Sequence, residues 1–249
     1  MTVFYNFSGG MESAAMLVLE ADRIRSAGAI VQWADTEKQF PEMAASIAQI
    51  EGILGLSIVS VPRAMTFEEF LFERGGMLRK HMNDCSRRMK RSNLTRHIKS
   101  HPRPYEVNLG YNADEVERAD SFVERNERDW LHWRFPLIEN HVYRAGTWGI
   151  CEKAGFSILV SMYKKMGRFD CYFCPNQTDR EAMRVVRHYP DLAKEWMELE
   201  AKKGHAFRPI PLKVLIAKTG QQPELPGMGC SCFGGEDSFA DEIEMPEAS

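Results

Sequence analysis

Hydrophobic positions along the first sixty residues switch repeatedly between two periods. Val3, Phe4 and Tyr5 form a short apolar run ahead of the polar turn Ser8-Gly9-Gly10. Ala14, Ala15, Met16, Leu17, Val18, Leu19 and Ala21 follow as an apolar helical stretch. A second strand is predicted from Ala29 to Ala34, ending at Asp35-Thr36, then a helix from about Pro41 to Leu54 and a third strand from Leu56 to Val61. Strands alternating with helices of this length imply βαβ units, right-handed crossovers and a doubly wound parallel α/β sheet. Further on, Tyr105 to Leu109 reads as a strand, the highly charged residues 116–130 as a solvated helix or loop, and Arg144 to Ala154 as a helix. An amphipathic stretch follows Cys171, and Pro190 divides it into two helices.

Composition narrows the class. With 249 residues, 44% hydrophobic and 27% charged, the chain can bury a full core. No run of about 18 apolar residues is present, which excludes a transmembrane helix. Met1 to Ser13 shows no basic segment leading into an apolar one, so no secretory signal is expected and a cytoplasmic location is. Six cysteines without a signal point to a reducing compartment, where clustered thiols bind metal or do redox chemistry. A net charge of -3 argues against a general polyanion binder but leaves room for a local basic patch. From Arg79 to Arg103 there are nine Lys or Arg residues and one acid, Asp84. This segment reads either as a phosphate or nucleic-acid contact or as a solvated helix surface, with Arg87, Lys90 and Arg91 on one face. The expected organisation is an α/β domain at 1–165, a helical cysteine-bearing region at 166–235 and an acidic mobile tail at 236–249.

The turn Ser8-Gly9-Gly10-Met11-Glu12-Ser13 carries the first candidate chemistry. Glycines let backbone N–H groups approach an anion, the helix N-terminus adds donors and partial positive charge, and the hydroxyls of Ser8 and Ser13 can reach phosphate oxygens. The plain alternative is a tight turn with Ser as N-cap. No Lys follows as a Walker A loop requires, and the dinucleotide fingerprint is absent. Asp35, at a strand end, is a candidate for Mg²⁺ or for a ribose or adenine donor, or else a helix N-cap. Cys171-x-x-Cys174 and Cys230-x-Cys232 have spacings at which two thiolates can address one metal. Cys151, beside Ile150, reads as a small core residue, and His132, His141 and His188 show no ligand spacing. Trp130 and Trp133 read as packing groups.

Six segments then come in the order of a known family. Ser8 to Ser13 resembles the PP-loop of the ATP pyrophosphatases and of the phosphoadenylyl-sulfate reductase-like proteins. Asp35-Thr36-Glu37-Lys38-Gln39-Phe40-Pro41-Glu42 is similar to their D-T-G-x-x-F-P-E segment, and Cys85-Ser86-Arg87-Arg88-Met89-Lys90 to their C-x-x-x-x-K segment. Leu109-Gly110-Tyr111-Asn112-Ala113-Asp114-Glu115-Val116-Glu117-Arg118, Phe135-Pro136-Leu137-Ile138-Glu139 and Cys171-x-x-Cys174-Pro175 resemble three later ones. Glu12 replaces the usual Asp, Asn112 a common Arg, and Gly229-Cys230-Ser231-Cys232-Phe233 the reductases' E-C-G-[LI]-H ending.

The resemblance implies an adenine-nucleotide fold with ligand at the carboxyl ends of the strands. ATP would rest on Ser8, Gly9, Gly10 and Ser13, with Asp35 near adenine, Glu12 helping Mg²⁺, Lys90 facing the nucleotide, and Gly110, Asp114 and Arg118 lining the site. Cys85, Cys171, Cys174 and, from the C-terminal pair, Cys232 are the implied ligands of a [4Fe–4S] cluster or, alternatively, Zn²⁺. The implied activity is adenylation of a substrate, a nucleic acid or nucleobase among the candidates, for sulfur transfer, with a sulfur-donor or partner protein. The alternatives are reduction of adenylyl sulfate or its 3′-phosphate, with Cys230 as nucleophile, and a non-catalytic nucleotide-binding module.

Overall fold

The computed structural model describes residues 1–220. Cys230, Cys232 and the acidic segment 236–249 lie outside the described residues. Five strands pair in parallel in the order β3-β2-β1-β4-β5. They are β1 (Thr2–Phe7), β2 (Ile30–Trp33), β3 (Ile58–Ser60), β4 (Tyr105–Leu109) and β5 (Leu131–Arg134). The order reverses beside β1, so the carboxyl ends of β1 and β4 flank the crevice where such sheets take ligands. In register, Tyr5 lies beside Asn108 and Asn6 beside Leu109.

Strand alternation separates two faces. Val3, Tyr5 and Phe7 belong to the large core, under α1 (Met11–Ala27) and α2 (Met43–Leu54). Phe4, Tyr105 and Val107 face the other way and pack with Ile98 of α3 (Ser92–Lys99). Leu131 and Trp133 of β5 join that second cluster, and Trp133 meets Phe122 of α4 (Val116–Asn126) edge-on. Strand β5 was hidden from sequence reading because Leu131-His132-Trp133-Arg134 follows a charged stretch, and both tryptophans pack as expected, Trp130 edge-on to Tyr105.

The remaining described helices are α5 (Pro136–Glu139), α6 (Arg144–Lys153), α7 (Ser157–Met166), α8 (Asp179–His188), α9 (Pro190–Lys203) and α10 (Leu212–Thr219). The break between α8 and α9 falls at Tyr189, ahead of Pro190, which lacks the N–H that a continuous helix would need. Trp196 and Phe207 are fully buried and share the core cluster with Tyr5 and Met16, so the C-terminal helices and the sheet bury one continuous interior. Cys151 is fully buried there.

Between β3 and β4 the backbone departs from α-helical geometry. Residues Ser86–Arg91 form a π-helical turn that runs directly into α3. The wider turn rotates side chains relative to α spacing. Arg87 and Arg91 therefore point to solvent, while Lys90 turns inward. The single basic face expected for Arg87, Lys90 and Arg91 does not form.

Candidate functional site

The loop after β1 is built by its own residues. The hydroxyl of Ser13 donates to the carbonyl of Gly10 at 2.9 Å and accepts from the N–H of Ser8 at 3.1 Å. The two serine hydroxyls lie 2.9 Å apart, and Ser8 Oγ accepts from the N–H of Gly10 at 3.2 Å. Gly10, with no side chain, is the N-cap of α1; Ser8 braces the turn from two residues back, so the expected serine N-cap is absent. Gly9 has φ +83°, and a Cβ there would meet Met43 Cε at 2.6 Å.

Gly110, just past β4, closes the other side of the crevice. A Cβ on it would stand 3.1 Å from both Cα and N of Ser13 and 3.3 Å from the carbonyl carbon of Glu12. The first turn of α1 thus packs directly on the Gly110 backbone, with no room for a side chain between them. Glu12 remains partly exposed and pairs with Arg144 at 3.4 Å. Asp114 accepts from the N–H of Arg144 at 2.8 Å, which ties the β4 loop to the start of α6. Asn112 is fully buried and caps the next turn, accepting from the N–H of Asp114 at 3.0 Å. Arg118 pairs with Glu115 and lies over the Tyr111 ring at 4.5 Å, exposed at the rim.

One participant has no sequence signature. Tyr163, on α7, places its hydroxyl 3.0 Å from the N–H of Met11, accepting from the first residue of α1. That N–H is one of the donors a helix terminus leaves for an anion. Burial, then the nearby Asp170 carboxylate, push the Tyr163 phenol above its ordinary range, so it stays protonated and keeps a proton to donate.

Asp35 is not a helix cap. Its carboxylate accepts from the N–H of Glu37 at 2.7 Å and from Arg63 at 2.6 Å. Glu37 adds a second contact to Arg63 at 3.1 Å. Asp35, Val61, Arg63 and Thr66 line an open cleft of ≈ 610 Å³ beyond the ends of β2 and β3.

A second cluster gathers distant segments. Cys171 Sγ is 3.0 Å from Thr36 Oγ1, and Gln39 and Cys171 form an isolated antiparallel bridge. These contacts bring the late C-x-x-C segment against the loop after β2. Burial and then the neighbouring thiols Cys171 and Cys174 push the Cys85 thiol up to about 12. The three cysteines therefore share one neighbourhood. Lys90 is held above its ordinary range against burial by Asp170 and then by these thiols. Asp170 is held low, against burial, by Lys90 and Arg168. Arg168 pairs with Asp170 and lies 4.0 Å from Glu181. The sequence hint to this pair was Arg168-Phe169-Asp170 immediately before Cys171.

Three soft donors suit a thiophilic metal in kind. No three His, Cys, Asp or Glu side chains among the described residues, these three cysteines included, converge tightly enough to hold one.

A doubly wound parallel sheet with a glycine-serine turn into a helix N-terminus at its reversal point is the architecture of nucleotide-binding α/β proteins. The chain belongs to the phosphoadenosine phosphosulfate reductase domain family, whose model matches residues 2–138. An uncharacterized protein of Methanocaldococcus jannaschii is 24% identical over 210 residues, 80% of this chain and 48% of that protein, so the chain spans about half the length of this curated relative. Among solved structures, the U34-tRNA thiolase NcsA from Methanococcus maripaludis with its [4Fe-4S] cluster is 14% identical, with a TM-score of 0.45, over 98% of this chain and 78% of that one. No described helix is long and apolar enough to cross a membrane.

Proposed function

We propose that this chain is an ATP-using PP-loop enzyme that adenylates an acceptor and prepares it for sulfur transfer. The observation that carries the reading is the Ser8–Ser13 brace at the N-terminus of α1, seated by the Gly110 backbone at the carboxyl ends of β1 and β4. The triphosphate rests on the loop N–H groups, with the Ser8 and Tyr163 hydroxyls as further donors. The adenine end lies toward the cleft beside Asp35 and Arg63. Glu12 is the residue to hold Mg²⁺ at the phosphates, and Mg²⁺ supplies neutralisation of their charge.

The step is a displacement at phosphorus. An acceptor oxygen attacks the α-phosphorus, the bond to the bridging oxygen of the β-phosphate breaks, and pyrophosphate leaves on the loop donors. A sulfur nucleophile then replaces the adenylated oxygen and AMP departs. The chain contributes position and fixed donors where charge develops. Cys85, Cys171 and Cys174, with Cys232 as the fourth, are the residues to hold a [4Fe–4S] cluster or Zn²⁺; such a group supplies a thiophilic centre. Lys90 and Arg168 offset the negative charge that ligated thiolates bring.

The second reading is reduction of a sulfonucleotide, favoured by the name of the matching family. It needs Cys230 as nucleophile and Cys232 as resolving thiol, both outside the described residues. A thermal-shift panel separates the two. At 100 times its Kd a ligand adds about 2.7 kcal/mol. Stabilisation by ATP with Mg²⁺, followed by pyrophosphate release with an acceptor, supports adenylation. Stronger stabilisation by adenylyl sulfate or its 3′-phosphate overturns it in favour of the reductase. ATP binding with no pyrophosphate release with any acceptor leaves a binding module.

A further inference from the structure

The π-helical turn and α3 together carry four exposed cations, three of which enter no ion pair among the described residues. Arg87, with 67% of its side chain exposed, is followed by Arg91, Arg96 and Lys99, all exposed. Arg91, Arg96 and Lys99 enter no ion pair among the described residues. The segment's one acid, Asp84, is already engaged by Arg87 at 2.9 Å and Arg88 at 3.6 Å. Hydroxyls of the exposed Ser92 and Thr95 are interspersed with the bases. The inner side of α3 is held down by Ile98 and by His97, whose ring meets Gln32 at 2.8 Å, so the row is on a rigid element.

The setting sharpens the point. The whole chain has 32 bases and 35 acids; outside 79–103 that leaves 23 bases against 34 acids. Outside this segment acids outnumber bases, so the net charge of the rest of the chain disfavours a polyanion. The row begins beside Cys85 and runs along residues 86–99, roughly 20 Å at the rise of a helix. At the roughly 3.4 Å per phosphate of one strand in a duplex that length takes about six phosphates, and an extended single strand places fewer along it. Past its far end Arg103 lies 3.8 Å over the Trp130 ring, an exposed guanidinium layered on an aromatic face. Positive charge along an element with an aromatic side chain beside it is the combination from which single-strand sites are built.

We infer that α3 and the turn before it are a docking strip for single-stranded nucleic acid, with the strand leading toward the Cys85 corner. The strip deepens the adenylation reading by naming its acceptor class and rests on that reading for the role of the strand, though not for its binding.

The test is fluorescence anisotropy with a labelled, unstructured single-stranded RNA of about 20 nucleotides on the full-length chain, with a DNA strand of the same sequence beside it. With four cations engaged, affinity should fall about 50-fold between about 50 and about 200 mM salt. In Arg96→Ala/Lys99→Ala the same change should cost only about 7-fold, since two fewer counterions are released. Both proteins should show the same thermal shift with ATP and Mg²⁺. The inference is overturned if neither strand binds at low salt, or if the double variant keeps the full salt dependence. It is equally overturned if a duplex of that sequence binds as tightly, or if a peptide of residues 236–249, with six acids and no base, displaces the strand at lower concentration than unlabelled RNA does. If ATP fails to stabilise either protein while the strand binds as described, the adenylation reading falls and the docking strip stands.

Discussion

The Ser8–Ser13 loop and the thiol corner hold their polar groups by opposite means. Around Ser8–Ser13 the polar groups are neutral backbone N–H donors and hydroxyls, braced on one another over five residues by Ser8 and Ser13. Around Cys85, Cys171 and Cys174 they are full charges, Lys90 and Arg168, balanced by Asp170 and brought together from widely separated segments. Neutral donors can face an empty crevice at little cost because water satisfies them. Buried charges cannot, so the corner needs its own counter-ion. The loop should therefore be sensitive to volume and the corner to charge.

Removing one charge should give the largest effect. Lys90→Met leaves Asp170 with Arg168 alone, and urea unfolding should show a loss of about 3 kcal/mol. Adding Asp170→Asn should restore much of it; a double variant as unstable as the sum of the two singles would break the charge-balance account. Volume comes next. Gly110→Ala should cost about 2 kcal/mol and abolish stabilisation by ATP with Mg²⁺, because the new methyl meets backbone, which cannot turn aside. Gly149→Ala, inside α6 with nothing within 4 Å, should instead stabilise by about 0.5–1 kcal/mol. An unaltered ATP shift in Gly110→Ala would mean that the packing of Gly110 on α1 has no part in nucleotide binding.

A smaller loss should follow Tyr163→Phe. One hydroxyl contact is worth about 1 kcal/mol, or about 5-fold in ATP affinity by calorimetry, with adenosine binding unchanged. Equal weakening of both ligands would make Tyr163 a packing residue only.

The smallest effect concerns the footing of α1. Tyr5 donates to Glu20 at 2.6 Å, and Arg23 bridges Tyr5 at 2.6 Å and Glu106 at 2.7 Å. Burial would raise the Glu106 carboxyl, yet Asn108, Arg23 and Arg134 hold it below its ordinary value near 4.5. A depressed carboxylate contributes stability above its unfolded pKa and loses it as pH falls through the folded one. Stability should thus decline below about pH 4.5, and Glu106→Gln, already less stable at pH 7, should decline less steeply. Parallel acid profiles for the two proteins would exclude Glu106 as a contributor.

Legibility divided along the same line. The loop was readable because the hydrogen bonds between its own residues span at most five positions, and Ser, Gly and spacing carry the geometry. The parallel sheet was readable because apolar runs alternate with helical ones. Arg144, Arg63 and Tyr163 were not, since each reaches the site from an element whose position depends on how helices pack. Lys90 was singled out by its motif, but its inward direction comes from a π turn that periodicity does not reveal. Strand β5 escaped for a related reason: it is four residues long at the sheet edge, and its burial depends on α4 covering Trp133.

Local patterning thus determined which residues make strands, helices and the anion-ready turn, because propensity, alternation and capping act over a few residues. The tertiary structure decided the rest. It set Gly110 against Ser13, brought Cys171 to Thr36, placed Tyr163 on the first N–H of α1, and turned Lys90 inward while Arg96 and Lys99 stayed in solvent. Those outcomes depend on long-range packing and on the cost of burying a charge without a partner, and neither is written in the spacing of neighbouring residues.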